Sequence, residues 1–272
     1  MAELPLFTIY AFRPRRENVP LGRREGFHVN RLTALTASIL ACAVLSPAFA
    51  RGTREQPVTG LIGTALDRPS PAADFTLTDQ HDALFHMADT KGKVVVLTFI
   101  YTHCADACPF ITLKVKNAIS LLGKDVDKTA FVAVTTDPKR DIPKVNLAYS
   151  KAFGLENAWS FVTGSAESVK AVWANYGIGV EIDPDTSHEA GPQDSGKGSG
   201  TAAEADPVTR GLSVSDLDLA GRIIEQFGGG YDVSHSVPFW IIDKSGMVRA
   251  SLDGSAAPSD IVADVRLLMK SR

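Results

Sequence analysis

Short apolar runs alternate with amphipathic stretches over most of the chain. Residues 93–99 and 129–136 are apolar and rich in β-branched side chains, which predicts two buried strands. Shorter strands are predicted at residues 75–80, 83–87, 159–163, 178–182, 237–242 and 247–252. Helices are predicted at residues 109–122, 143–153, 165–176, 212–227 and 259–269. This order predicts an α/β fold with a central mixed β-sheet flanked by helices and an N-terminal β-hairpin.

The first fifty residues have the pattern of a targeting segment rather than of a folded domain. Residues 32–50 carry no charge and end in Ala48-x-Ala50, which fits a signal cleavage site. Their strongly apolar part is shorter than the roughly 20 residues that a membrane-spanning helix needs. We therefore expect residues 1–50 to be a cleaved export signal. An uncleaved inner-membrane anchor and lipidation at Cys42 are the alternatives.

Two further stretches lack the apolar periodicity of the folded elements. Residues 51–71 are rich in Gly, Pro, Thr and Ala, which predicts a linker, and residues 72–272 then form the domain. Residues 184–210 are rich in Gly, Ser, Ala, Asp and Glu, which predicts a flexible insertion within that domain. His188 in this insertion is either a solvated loop residue, which is the more common case, or a mobile auxiliary metal ligand.

Charge and cysteine content narrow the classes of function. The chain has 272 residues and a formal net charge of −3, so its charge balance does not favour nucleic-acid binding. It has three cysteines, one of which falls in the targeting segment, so no disulfide framework is expected. After export, the other two cysteines would meet an oxidising compartment.

Cys104 and Cys108 lie between the predicted strand at residues 93–99 and a predicted helix that starts at Pro109. In a strand-to-helix turn, unpaired amide groups and the positive end of the helix dipole favour a thiolate over a thiol. A thiolate binds metals or attacks disulfides, so the pair is a candidate reactive site. The alternative is a structural pair or two small buried hydrophobic residues.

His235 precedes the predicted strand at residues 237–242 and is a candidate third member of this site. If that strand lies beside the cysteine strand, the imidazole enters the same crevice. Two thiolates and one imidazole form a soft site with few ligands, which suits Cu(I), whereas a structural zinc site would normally need a fourth ligand. His103 is adjacent to Cys104, and consecutive side chains rarely bind one ion, so we expect a polar neighbour rather than a ligand.

Three motifs together resemble the Sco/SenC family. They are THCADACP at residues 102–109, DPKRD at residues 137–141 and HS at residues 235–236. The segment FTLTDQ at residues 75–80 is similar to the opening strand of that family. The resemblance covers residues 73–252, which is most of the predicted domain.

The resemblance implies a thioredoxin-like fold in an exported, often membrane-tethered domain. It also implies a metallochaperone that delivers copper to the dinuclear copper centre of cytochrome c oxidase during its assembly. By match of position, Cys104, Cys108 and His235 would be the ligands of Cu(I) or Cu(II). The partner would be the copper-bearing oxidase subunit or another copper chaperone. The domain would lie in the periplasm, or on the periplasmic side of the inner membrane.

The sequence departs from the family pattern in three places. Ala105 stands where the family usually has proline, and Ser234 stands where it usually has aspartate. The insertion at residues 184–210 is longer than the family leads us to expect. Ser234 removes a negative charge next to His235, and outer groups of this kind tune a metal site.

A thiol–disulfide oxidoreductase that reduces partner cysteines is the competing function. Cys104 and Cys108 would then form a redox-active disulfide, with one cysteine attacking and the other resolving. Against it, thioredoxin-type exchange enzymes carry Cys-x-x-Cys facing a cis-proline, whereas three residues separate the cysteines here and Pro238 falls one residue past the expected position. A peroxide-reducing enzyme of the same fold is a third alternative, for which only Arg140 could supply the nearby arginine.

Overall fold

A computed structural model describes residues 58–188 and 207–271, and a six-stranded mixed sheet is its largest element. The strands are β1 (Thr64–Pro71), β2 (Thr76–Thr78), β3 (Leu84–His86), β4 (Val94–Ile100), β5 (Thr129–Thr135), β6 (Ser160–Val162), β7 (Val180–His188), β8 (Gly230–His235), β9 (Phe239–Ile242) and β10 (Met247–Leu252). The helices are α1 (Ala107–Leu122), α2 (Pro143–Phe153), α3 (Ala166–Asn175), α4 (Val214–Phe227) and α5 (Pro258–Lys270).

The central sheet has the strand order β1-β10-β9-β4-β5-β6. Strand β4 lies in its middle, where it pairs in parallel with β5 and antiparallel with β9. Strands β9 and β10 form a hairpin, and β1 pairs with β10 at the edge. Two small sheets, β2–β3 and β7–β8, are separate from the central one. The predicted mixed sheet and the predicted N-terminal hairpin are confirmed.

Every residue of β4 is buried, because other elements cover both faces of the sheet. Successive side chains of a strand point to opposite faces, so β4 contributes to two cores. Val94 and Ile100 belong to a core packed by α1, α2, α4 and α5, which also contains both described cysteines. Val95 and Phe99 belong to a second core, packed by α3 and the β2–β3 hairpin.

The structure differs from the predicted linker at residues 51–71, because residues 64–71 form strand β1. Most side chains of β1 are exposed, so the segment has no apolar periodicity of its own. It is ordered by pairing with β10 and by the chain before it, where the amides of Ile62 and Gly63 donate to the Asp264 carboxylate at 2.6 and 2.9 Å. Tertiary pairing rather than local sequence therefore defines this strand.

Helix α1 begins at Ala107, two residues before the predicted start at Pro109, so Cys108 lies in its first turn. The first amides of a helix have no partner within it, and a proline therefore costs no hydrogen bond at that position. Of the two cysteines, only Cys104 lies in the turn before the helix.

Strand β7 runs through His188 and pairs with β8, so residues 184–188 are strand rather than the predicted insertion. The predicted targeting segment at residues 1–50 and the insertion residues 189–206 lie outside the described residues. Within residues 58–188 and 207–271, no helix is long and apolar enough to cross a membrane.

Candidate metal centre

Cys104 and Cys108 lie at the carboxyl end of β4, where open α/β sheets commonly place their sites. Cys104 is 6% exposed and Cys108 is fully buried, and neither is in a disulfide. The backbone amide of Cys108 donates to the Cys104 sulfur at 3.5 Å. The first turn of α1 thus directs at the Cys104 sulfur an amide that has no partner within the helix, as expected for a site that stabilises a thiolate.

The two thiols differ in acidity. A side-chain hydrogen bond from Cys108 is the main cause that lowers the pKa of Cys104 to about 7, against the opposing effect of burial. The backbone amides of Cys108 and Asp106 and the hydroxyl of Tyr101 act in the same direction. Burial raises the pKa of Cys108 well above its usual value, and its hydrogen bond with Cys104 adds to the effect. Cys104 is therefore the thiol that ionises first.

His235 ends strand β8, and its Nε2 atom lies 3.7 Å from the sulfur of Cys108. Its Nδ1 atom lies 3.0 Å from the carbonyl oxygen of Ser236, which can only accept, so Nδ1 carries the proton of the neutral ring. Burial lowers the pKa of His235 and favours that neutral form. The lone pair of Nε2 therefore carries no proton and faces the Cys108 thiol, which is the state a metal ligand requires.

The expected placement of His235 is explained by the pairing of β9 with β4. The two strands are antiparallel, with Leu97 opposite Trp240, so the start of β9 lies at the end of β4 where the cysteine turn begins. Donors about 2.3 and 2.0 Å from one ion lie roughly 3.5–3.7 Å apart at angles near 110–120°, taking bond lengths typical of zinc. The Cys108–His235 separation fits that value. Cys108 and His235 approach each other as a pair. Within residues 58–188 and 207–271, no three His, Cys, Asp or Glu side chains lie close enough together to hold a metal ion.

His103 belongs to a polar network. Its Nδ1 atom lies 2.8 Å from the Thr102 hydroxyl, which itself donates to Asp141 at 2.6 Å. The backbone of His188 lies opposite Gly230 in the β7–β8 pair. The two positions that depart from the family pattern, Ala105 and Ser234, are both exposed.

Asp141 supports the cysteine turn by accepting hydrogen bonds from Thr102, two residues before Cys104. It was not singled out as a functional residue from the sequence. Its fully buried carboxyl group accepts hydrogen bonds from the hydroxyls of Thr102 and Thr135, each at 2.6 Å, and from the Thr102 amide. Burial raises the pKa of Asp141 to about 7. The available signal was its position in a polar motif directly after a buried strand, at the same edge as the cysteines.

Arg140 connects the same motif to strand β8. Its guanidinium group lies 3.6 Å from the ring centroid of Tyr231 and donates to the carbonyl of Gly229 at 3.0 Å. It also pairs with Asp137, which accepts a hydrogen bond from the Tyr231 hydroxyl at 2.8 Å. Stacking, ion pairing and hydrogen bonding thus hold the start of β8 against the loop that follows β5.

Tyr101 is the first residue after β4 and contacts both parts of the site. Its buried hydroxyl accepts the amide hydrogen of Val233 at 3.2 Å, and its interaction with the Cys104 thiol contributes to the lowered pKa of that thiol. Its ring meets the His235 ring edge-on, with centroids 5.7 Å apart. Sequence reasoning placed Tyr101 next to the motif but gave it no role, because these contacts depend on the fold.

A family model and individual relatives of the chain point to the same family. The SCO1/SenC family model matches residues 64–196. The SCO2-like protein of Rickettsia felis is 32% identical over 120 residues, which are 44% of this chain and 58% of that protein. The chain thus matches less than two thirds of the length of that relative.

Two solved structures have the same fold. The copper-bound ScoI of Bradyrhizobium japonicum has 20% sequence identity and a TM-score of 0.52, covering 73% of this chain and 99% of the other. BsSco, whose description names a disulfide switch and the Sco family of cytochrome c oxidase assembly proteins, has 18% identity and a TM-score of 0.50, covering 80% of this chain and all of the other. The predicted thioredoxin-like fold is confirmed. The motifs, the family model over residues 64–196 and the fold all support the SCO1/SenC family for this chain.

Proposed function

We propose that the protein is a copper-binding metallochaperone that carries copper on Cys104, Cys108 and His235. The observation that carries the proposal is the meeting of a neutral imidazole with a pair of thiols, with Nε2 of His235 3.7 Å from the sulfur of Cys108. Thiolate ligands are soft and select Cu(I), and imidazole also suits copper. Copper bound to the ScoI relative supports the same cargo.

Delivery to the dinuclear copper centre of cytochrome c oxidase is the finer part of the proposal. It is supported by the description of BsSco as a member of a family of cytochrome c oxidase assembly proteins. The copper-bearing oxidase subunit or another copper chaperone would be the partner. His235 is more exposed than either cysteine, so ligand exchange with the partner would begin on its side of the site.

We further propose that the domain acts outside the cytoplasm, in the periplasm or at the inner membrane, with residues 1–50 as export signal or anchor. A fusion of residues 1–60 to a reporter that is active only after export tests this. Reporter activity is expected in the fusion, and its absence would contradict export. Mass spectrometry of the native protein then separates a cleaved signal from a retained anchor.

Copper titration of the reduced protein tests the ligand assignment. The parent is expected to bind about one copper, with a thiolate-to-copper charge-transfer band in the Cu(II) form. His235→Ala should weaken binding sharply while the fold is retained, and His81→Ala is the matched control, because His81 contacts the Glu156 carbonyl in an exposed turn. Equal copper affinity of His235→Ala and His81→Ala would refute the ligand assignment.

A thiol–disulfide oxidoreductase is the second candidate, favoured by the unequal acidity of the two thiols. The Cys104 thiolate would attack a partner disulfide and form a mixed disulfide, which Cys108 would resolve. Two electrons would pass to the partner, leaving two partner thiols and a Cys104–Cys108 disulfide. Fast catalytic turnover in a copper-free disulfide-reductase assay would favour this function over the chaperone.

A further inference from the structure

We propose that Tyr101 is a positioning residue of the candidate metal centre. Tyr101 holds the strand that carries His235 against the turn that carries Cys104. For its effect on copper the inference rests on the proposed function. Its geometric part concerns the protein alone and can be tested without metal.

Within the described residues, no backbone ladder joins strand β8 to the central sheet. The two are connected by the chain that continues into β9 and by one backbone hydrogen bond, from the Gly229 amide to the His103 carbonyl at 3.3 Å, so a side-chain contact to β8 adds to its positioning. Strand β8 pairs with β7 in a separate two-stranded sheet, whereas the cysteine turn follows β4 in the middle of the six-stranded one. The Val233 amide, two residues before His235, donates to the Tyr101 hydroxyl at 3.2 Å. A side chain directly after β4 thus accepts a hydrogen bond from the backbone of β8.

The proton of the same Tyr101 hydroxyl group is available to the cysteine turn. A phenol has one proton to donate and lone pairs to accept with. Since the oxygen accepts the Val233 amide, its proton is free to point at the cysteine turn, where the phenol interacts with the Cys104 thiol. The hydroxyl therefore lies between the backbone of β8 and one candidate ligand.

The Tyr101 ring restricts the other candidate ligand on β8. It meets the His235 ring edge-on at a centroid distance of 5.7 Å and an interplanar angle of 69°. Tyr101 is 3% exposed, so its own ring has little space to turn and presents a fixed surface to His235. Groups that orient ligands in this way typically change metal affinity by about 10- to 100-fold when they are removed.

Tyr101→Phe isolates the hydroxyl, because the phenylalanine ring keeps the packing on His235. Tyr176→Phe is the matched control: Tyr176 is also buried, and its hydroxyl also contacts a backbone group, the Ala73 carbonyl at 3.1 Å, but it lies in the second core. Each variant loses one buried hydroxyl group and one backbone hydrogen bond. Any difference between them therefore reports on position rather than on the loss itself.

Two measurements on the full chain compare the variants. Hydrogen exchange of the Val233 amide in the metal-free protein should be faster in Tyr101→Phe than in the parent and unchanged in Tyr176→Phe. Cu(I) affinity, measured by competition with a chelator, should fall about tenfold in Tyr101→Phe alone, and the charge-transfer band of the Cu(II) form should move.

The outcomes separate this inference from the proposed function. If Tyr101→Phe equals Tyr176→Phe in Val233 exchange, Tyr101 does not hold β8 and the inference is rejected. If exchange quickens but copper affinity and the band stay at parental values, its effect on the metal is rejected. If the parent binds no copper, the proposed function fails, and the exchange measurement still decides whether Tyr101 positions the strand.

Discussion

The two halves of the candidate site are held in place by different means. The cysteine turn follows β4, which is buried at every residue and paired along both edges, and runs directly into α1. The histidine lies on the separate β7–β8 sheet, which side chains attach to the rest of the molecule through Arg140, Tyr231 and Tyr101. Backbone pairing along both edges of β4 fixes the thiols. The imidazole is held less directly, by the chain that continues into β9, by one backbone hydrogen bond from Gly229 to His103 and by these side-chain contacts.

This difference suits the carriage of a metal ion. Donors that are fixed before binding lower the cost of ordering the site, whereas a donor held by a few separable contacts can leave without unfolding the sheet. The side of the site that carries His235 is therefore where copper would enter and leave. Variants of the two halves should therefore differ in their effects on stability, copper affinity and hydrogen exchange.

The largest effect is expected in the sheet that supports the thiols. Phe99→Ala removes a fully buried ring from β4, and we expect it to lower the free energy of unfolding by about 3–5 kcal/mol. Ile182→Ala, in the exposed part of β7, should change it by less than about 0.5 kcal/mol. Urea unfolding of both variants tests the contrast, and similar losses would show that the halves are equally integrated.

Removal of a thiol should have the largest effect on metal binding. Cys104→Ser replaces a soft donor by a hard one, and we expect Cu(I) affinity to fall by more than the roughly 100-fold that loss of an outer group causes. Chelator competition measures the affinity, and circular dichroism verifies that the fold is retained. Near-parental affinity in Cys104→Ser would exclude this thiol as a ligand.

The contacts of Arg140 should matter mainly to the histidine half. Arg140→Lys keeps the charge but loses the planar stack on Tyr231 and the fork that reaches both Gly229 and Asp137. We expect about tenfold weaker copper binding, with faster hydrogen exchange in β8 and unchanged exchange in β4. Lys139→Ala, which removes a neighbouring exposed cation 5.7 Å from the same ring, is the control. Equal exchange in β8 for both variants would count against a role for Arg140.

A smaller effect is expected from Asp141, which makes the free energy of unfolding depend on pH. Burial raises the pKa of Asp141 from 3.8 to about 7, so between these values the folded chain keeps a proton that the unfolded chain releases. The stabilising contribution of Asp141 is therefore full below pH 3.8 and is lost as pH rises through about 7. Urea unfolding between pH 4 and 7 should show this decline in the parent and a flatter profile in Asp141→Asn. Parallel profiles would contradict it.

Sequence reasoning located the elements whose signals are local. The buried strands around the cysteine turn, the β2–β3 hairpin and the proline at the start of α2 were predicted from apolar runs and helix-start residues. Strand β1 was missed because its order comes from an edge of the sheet. The roles of Tyr101, Arg140 and Asp141 were missed because their partners lie far along the chain, 132 residues away for the Tyr101–Val233 bond.

The alternation of buried side chains along β4 separates chemistry from stability. Both cysteines pack into the core on one face of the sheet, whereas Val95 and Phe99 pack into the core on the other. Substitutions in that second core would act on the thiols only through the backbone of the sheet. The protein therefore has a second core in which stability can drift during evolution, or be engineered, without a direct side-chain contact to either thiol.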